Sequence, residues 1–275
     1  MAVLLSLAAA LAYGLSDFVG GLASRRTSAW PVAFIGSVAA FAGAVVLTLA
    51  TDGSPTRADL WWGALAGIGS GTGGAFLYRG LAAGRMGVVA PISAVGAALL
   101  PVGVGVATGE RPDALVWLGI LAAVPGIWLV SREPGTSGDL AAGIVDGVLA
   151  GIGFGVLFAA MGQVPEEAGL APLALAQLVA AVAVALTASA LGARWWPHDR
   201  SQAWGAAAGL LGTAATVTFL LATQSGLLTI ASVLTSLYPA ITIALAAVVL
   251  KERIQGSQGL GLVLCGLAVA LVAAA

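Results

Sequence analysis

Trp62-Gly63-Ala64-Leu65-Ala66-Gly67 opens a stretch, Trp62–Val130, that returns 142 residues later as Trp204–Val272, itself opening Trp204-Gly205-Ala206-Ala207-Ala208-Gly209. The two copies align without a gap. Gly84 meets Gly226, Glu110-Arg111 meets Glu252-Arg253, Leu118-Gly119 meets Leu260-Gly261, and Leu129-Val130 meets Leu271-Val272. Alanine and glycine matches carry little weight in a chain so rich in both. The Glu-Arg match carries more, because charged residues make up only 8% of the sequence. An echo at fixed period describes one unit built twice.

Both copies are apolar. The 275 residues are 60% hydrophobic, whereas soluble domains carry roughly 25% charged residues. Apolar runs of ~20 residues recur along the whole length, the length a helix needs to cross a bilayer. A membrane β-barrel would instead show short segments of alternating polarity. The reading is an all-α integral membrane protein with ten transmembrane helices, at about 2–22, 31–51, 60–80, 88–108, 114–131, 140–161, 171–191, 203–223, 229–249 and 257–274. The first run lacks a basic leader and contains Asp17, so it reads as a retained helix. Pro101, Pro125 and Pro239 fall inside spans, where a bundle tolerates them as kinks.

The chain divides into 1–133 and 139–275, joined at Pro134–Gly138. Five spans per half is an odd number, so the second half enters the membrane from the opposite side. The halves are inverted repeats, an architecture typical of secondary transporters with a site between the repeats near the midplane. Glycines at helical spacing (Gly143, Gly147, Gly151 and Gly155; Gly63, Gly67 and Gly71; Gly205 and Gly209) provide smooth faces for close helix packing. Trp30, Trp61, Trp62, Trp117, Trp195 and Trp204 fall near span ends, as interfacial tryptophans do.

Three charges lie deep. Asp17 is well inside span one, Arg79 near the end of span three, and Asp146 about two turns into span six. An ionisable group at the bilayer centre costs roughly 2.5–3.5 kcal/mol on insertion scales, and such groups usually face a bundle interior or an aqueous cavity. Helix parity puts all three in one leaflet. The expectation is that Asp17 and Arg79 pair, or bracket the mouth of a polar pathway; the blander alternative is a structural pair near the interface. Tyr13, Tyr78, Ser93, Gln224, Thr235 and Tyr238 complete the candidate substrate pathway. Ser93 and Thr235 are repeat mates and are candidates to meet across the pseudo-twofold, although Ser and Thr in membrane helices commonly bond their own backbone.

Other chemistries lack their residues. The net charge of -1 does not point to nucleic acid. His198 is the single histidine and Cys265 the single cysteine, so no metal cluster, intrachain disulfide, nucleotide loop or nucleophile–base set is assembled, and no cofactor is called for. An intramembrane aspartyl protease wants Tyr-Asp and Gly-x-Gly-Asp; here the aspartates follow Ser16 and Val145. Ion filters need rings of carbonyls or charges, and none is evident.

Tyr13-Gly14-Leu15-Ser16-Asp17-Phe18 with Arg25-Arg26, Val89-Ala90-Pro91-Ile92-Ser93-Ala94, Gly109-Glu110-Arg111 and Lys251-Glu252-Arg253 together resemble the EamA family of the drug/metabolite transporter superfamily, over essentially the whole chain. The resemblance implies a multi-pass protein of the plasma membrane. It implies alternating access around a central cavity lined mainly by helices 1, 3, 4, 6, 8 and 9. The implied cargo is a small organic solute, often moved outward, with a coupled proton or with no coupling ion; flipping of a lipid-linked headgroup is the alternative. With both repeats in one chain a monomer suffices, and a dimer is not forbidden. Orientation stays open. Nine of the eleven Lys and Arg fall at odd-numbered connections (Arg25, Arg26, Arg79, Arg85, Arg132, Arg194, Arg200, Lys251, Arg253), which places those connections in the cytoplasm. Relatives are usually drawn with both termini cytoplasmic, which is the reverse.

Overall fold

A computed structural model describes residues 1–82, 86–131, 140–251 and 254–275. The joint Pro134–Gly138, the repeat-matched Gly84, Arg85, Arg132 and Glu252-Arg253 lie outside the described residues, as do the side chains of Arg25 and Arg26. The helices are α1 (Ala2–Arg26), α2 (Ala29–Ala50), α3 (Arg57–Ala82), α4 (Met86–Ala107), α5 (Ala114–Ser131), α6 (Leu140–Met161), α7 (Ala171–Ala190), α8 (Trp204–Gln224), α9 (Leu228–Thr235), α10 (Tyr238–Val249) and α11 (Gly256–Ala273). Among the described residues, nine spans are long and apolar enough to cross a membrane. The tenth, α3, has 26 residues. Its lower apolarity comes from Gly63, Gly67, Gly69, Gly71, Gly73 and Gly74, interspersed with Ser70 and Thr72. Large apolar side chains such as Leu4, Val46, Leu49, Leu121, Leu186 and Val263 point outward. A surface of that character belongs in lipid.

The ninth span is not one kinked helix. It breaks at Ser236-Leu237 into α9 and α10. Pro239 is the cause: it has no N–H to give the carbonyl one turn back, and its ring is accommodated in the first turn of a new helix. α4 carries Pro91 and Pro101 yet stays continuous. The α9 start is held from the other repeat. Glu110, on the α4–α5 connection, accepts the Leu228 N–H at 2.6 Å and the Thr229 N–H at 2.9 Å, and the Thr229 hydroxyl as well. These are the donors that a helix start leaves unsatisfied. Outside the spans, Asp199 begins the 3₁₀ turn before α8; hydrogen bonds from the Ser201 N–H and hydroxyl hold its carboxyl below the ordinary carboxylate range.

The packing obeys the repeat. α3 lies on α6 and α8 on α1; α4 lies on α6 and the α9–α10 pair on α1; α3 lies on α7 and α8 on α2. Each statement turns into its partner when span n is exchanged with span n+5. The pairs α2–α7, α4–α9 and α5–α11 straddle the pseudo-twofold. The chain is thus two inverted five-helix repeats that have exchanged helices: α6 packs among α3 and α4, and α1 among α8, α9 and α10. Glycines make the contacts possible. A Cβ on Gly67 would strike the Ala176 carbonyl, and one on Gly209 the Gly36 carbonyl. Gly153 lies against Gly73, Gly151 against Gly96, and Gly155 against Leu100.

Candidate functional site

A cavity of about 140 Å³ runs between α1, α2, α3, α6, α7, α8 and the first residue of α10. Helix direction sets its depth. Tyr13, Ser16 and Asp17 lie at and just past the middle of α1; Val32 is in the first turn of α2; Gly205 is the second residue of α8. The cavity therefore runs from mid-membrane toward the end of the bundle that carries the odd-numbered connections, called here the odd end. Toward the even end it is stopped by a packed cluster that includes Phe158, Met161, Phe219, Leu220 and Leu228. Below that plug stands the Glu110 cap on α9.

Four of the expected pathway residues line the cavity: Tyr13, Asp17, Tyr78 and Tyr238. The Tyr13 ring sits edge-on to Phe158 at 5.7 Å between centroids and 6.2 Å from Tyr238. The Thr216 hydroxyl donates to the Gly212 carbonyl at 2.9 Å, so in its 2.8 Å bond with Tyr13 the tyrosine hydroxyl donates. Ser16 donates to the Ala208 carbonyl at 2.8 Å. Asp17 opens into the cavity, and no described residue gives it a hydrogen bond or an ion pair. Tyr13, Tyr78 and Tyr238, from three helices, all lie within electrostatic reach of its carboxylate.

The expected Asp17–Arg79 pair does not form. Arg79 binds Asp146 instead: its Nε donates to Asp146 Oδ1 at 2.8 Å, and Nη2 donates to the same oxygen. The reason is packing. α3 runs along α6 through Gly69 and Gly73, whereas α1 lies on α8. Successive helical residues point about 100° apart, so Tyr78 faces the cavity while Arg79 faces α6. Asp146 is fully buried, and the guanidinium also stacks on Phe76 at 4.7 Å. Neither residue lines the cavity.

The remaining three candidates lie elsewhere. Ser93 is buried and donates to the Ala90 carbonyl at 3.0 Å. Thr235 reaches the Ser6 carbonyl at 3.4 Å, and Gln224 the Val164 carbonyl at 3.4 Å. Ser93 and Thr235 each turn to backbone rather than to one another. The lining also departs from the expected set of helices. α4 contributes nothing to it and the ninth span only Tyr238, while α2 and α7 contribute Ser37, Ala40, Gln177 and Val184. Gln177 and Thr216 were missed. Each is a polar residue in the body of an apolar span, which was the available signal, but only packing reveals which face of the helix points inward.

Residues 141–274 match the EamA-like transporter family. The match covers the second half of the chain. The family is part of the drug/metabolite transporter superfamily, and the match together with the many apolar helices supports a multi-pass membrane transporter of small solutes. Fifteen chains of solved structures match it. In one, a crystal structure, the TM-score is 0.77 at 18% identity over 99% of this chain and 98% of that one, a likeness of fold. No curated protein matches the sequence.

Proposed function

We propose that this EamA-like protein is a secondary transporter of the plasma membrane that exports small organic solutes by alternating access, with Asp17 as the group that couples transport to protons. The observation that carries the reading is the one-ended cavity at the centre of an exchange-symmetric bundle: it reaches toward the odd end and is plugged at the even end. Two packing units support a rocking motion, α3, α4, α6 and α7 against α8, α9–α10, α1 and α2, because the contacts between them lie on the pseudo-twofold. An inverted repeat adopts either of two closures, related by exchange of the repeats about the pseudo-twofold, around a fixed midplane site. The two repeats are taken as residues 1–133 and 139–275. Lipid-headgroup flipping has less support, since no Lys or Arg among the described residues lines the cavity.

The test is uptake and efflux in proteoliposomes of labelled amino acids, sugars and amphipathic amines, with and without a pH gradient, wild type beside Asp17→Asn. Gradient-driven transport that the variant loses is the expected result. Transport indifferent to both changes would remove Asp17 from coupling and leave a facilitative carrier; transport of nothing would sink the reading.

A further inference from the structure

The coupling role leaves open what the cavity binds. We propose that its cargo is a small organic monocation of the alkylammonium class, seated between the Asp17 carboxylate and the rings of Tyr13, Tyr78 and Tyr238. This rests on the transporter reading and narrows it.

Charge comes first. Among the described residues Asp17 is the one carboxylate in the lining, and no Lys or Arg lines the cavity. An uncompensated carboxylate away from bulk water costs several kcal/mol. A bound monocation removes that cost, and an anion adds to it. A zwitterion brings a second charge for which the described lining has no partner.

The hydrogen-bond inventory agrees. The Tyr13 hydroxyl donates to Thr216, Thr216 donates to the Gly212 carbonyl, and Ser16 donates to the Ala208 carbonyl. With those protons committed, the Tyr13 and Ser16 oxygens offer lone pairs, while Ser37, Ser70, Tyr78, Gln177 and Tyr238 in the same lining carry both donors and acceptors. A cation needs acceptors, and the lining supplies them beside the Asp17 carboxylate.

The walls complete the site. Tyr13 and Tyr238 come from opposite repeats with centroids 6.2 Å apart, Phe158 stands edge-on to Tyr13, and Phe154 also lines the space. Aromatic faces attract a desolvated cation by about 0.5–2 kcal/mol each, roughly two- to thirtyfold in affinity. The cavity of about 140 Å³ suits a small solute, since an apolar cavity of ~150 Å³ holds one benzene.

The experiment measures binding to the full chain in nanodiscs by calorimetry, with three probes of nearly one shape: choline, its uncharged isostere 3,3-dimethylbutan-1-ol, and zwitterionic glycine betaine. Choline is expected to bind at least tenfold more tightly than either. Asp17→Asn should erase that preference and Asp17→Glu should keep most of it. Tyr78→Leu should weaken choline by about two- to thirtyfold while Tyr78→Phe does not, as the cation–ring attraction requires. Melting curves in detergent verify that each variant is folded. Equal binding of the isostere, tighter binding of betaine, no binding of choline, or an unchanged preference in Asp17→Asn each overturns the proposal. The transport panel separates the two readings. Carriage of sugars or amino acids with choline ignored would defeat the cation site alone. Choline binding without transport of anything would defeat the transporter reading alone.

Discussion

Replacing Glu110 with alanine is expected to be among the most damaging single changes outside the glycine contacts. The side chain satisfies two backbone N–H groups and a hydroxyl at the start of α9. Leu228 and Thr229 are 5% and 0% exposed, so water does not readily replace the lost acceptors. Each orphaned buried donor costs about 1–3 kcal/mol, and losing a carboxylate at a helix start adds about 0.3–1 kcal/mol. Glu110 itself is half-exposed, which lets some water in, so the expected loss is about 3 kcal/mol. Glu110→Gln keeps one acceptor oxygen and should lose about half as much. Arg111 is exposed and bonds only nearby carbonyls, so Arg111→Ala should stay within about 0.5 kcal/mol of wild type. The assay is denaturation in detergent, with Thr229→Val completing a double-mutant cycle. If Glu110→Ala melts like Arg111→Ala, or if no coupling to Thr229 is found, the cap does not hold α9 and the account of the plugged end is wrong.

The Arg79–Asp146 pair should behave as a brace within one packing unit. Asp146→Asn or Arg79→Gln should lower the melting point in detergent, and exchanging the two residues should recover part of the loss; an exchange no better than the singles would refute pairing. Glycine substitutions should split by sign. Gly67→Ala sets a methyl against the Ala176 carbonyl and should destabilise by about 1–3 kcal/mol. A Cβ at Gly74 meets nothing within 4 Å, so Gly74→Ala should be neutral or stabilise by up to about 1 kcal/mol. Both are read from the same melts, and equal effects would refute the packing assigned to α3.

Ten spans were legible because a membrane helix is written as an uninterrupted apolar run, and the inverted duplication because Glu110-Arg111 and Glu252-Arg253 are rare marks in an apolar text. The partner of Arg79 was not. Parity placed Asp17 and Asp146 equally well, and the choice depends on α3 lying on α6 rather than α1, a fact of three-dimensional neighbours. The break at Ser236-Leu237 had its signal in Pro239, but Pro91 and Pro101 send the same signal from a helix that does not break. Three tyrosines and Asp17 were found in the cavity because polar groups in apolar spans are few. Ser93, Gln224 and Thr235 were polar in the same way, yet they answer to backbone carbonyls instead.

The exchange of α1 into the opposite repeat bears on how the protein is made. α1 leaves the ribosome before the helix that is its principal neighbour, α8, which follows about 180 residues later, or roughly 10–40 s of synthesis at ordinary rates. Through that interval Gly14 waits for Ile241 and Gly20 for Ala208, so α1 must be chaperoned by the insertion machinery or by transient contacts. α6, by contrast, emerges after α3 and α4 and docks at once. The two repeats, equal in architecture, are unequal in biogenesis: the first holds a helix whose neighbours have yet to be translated.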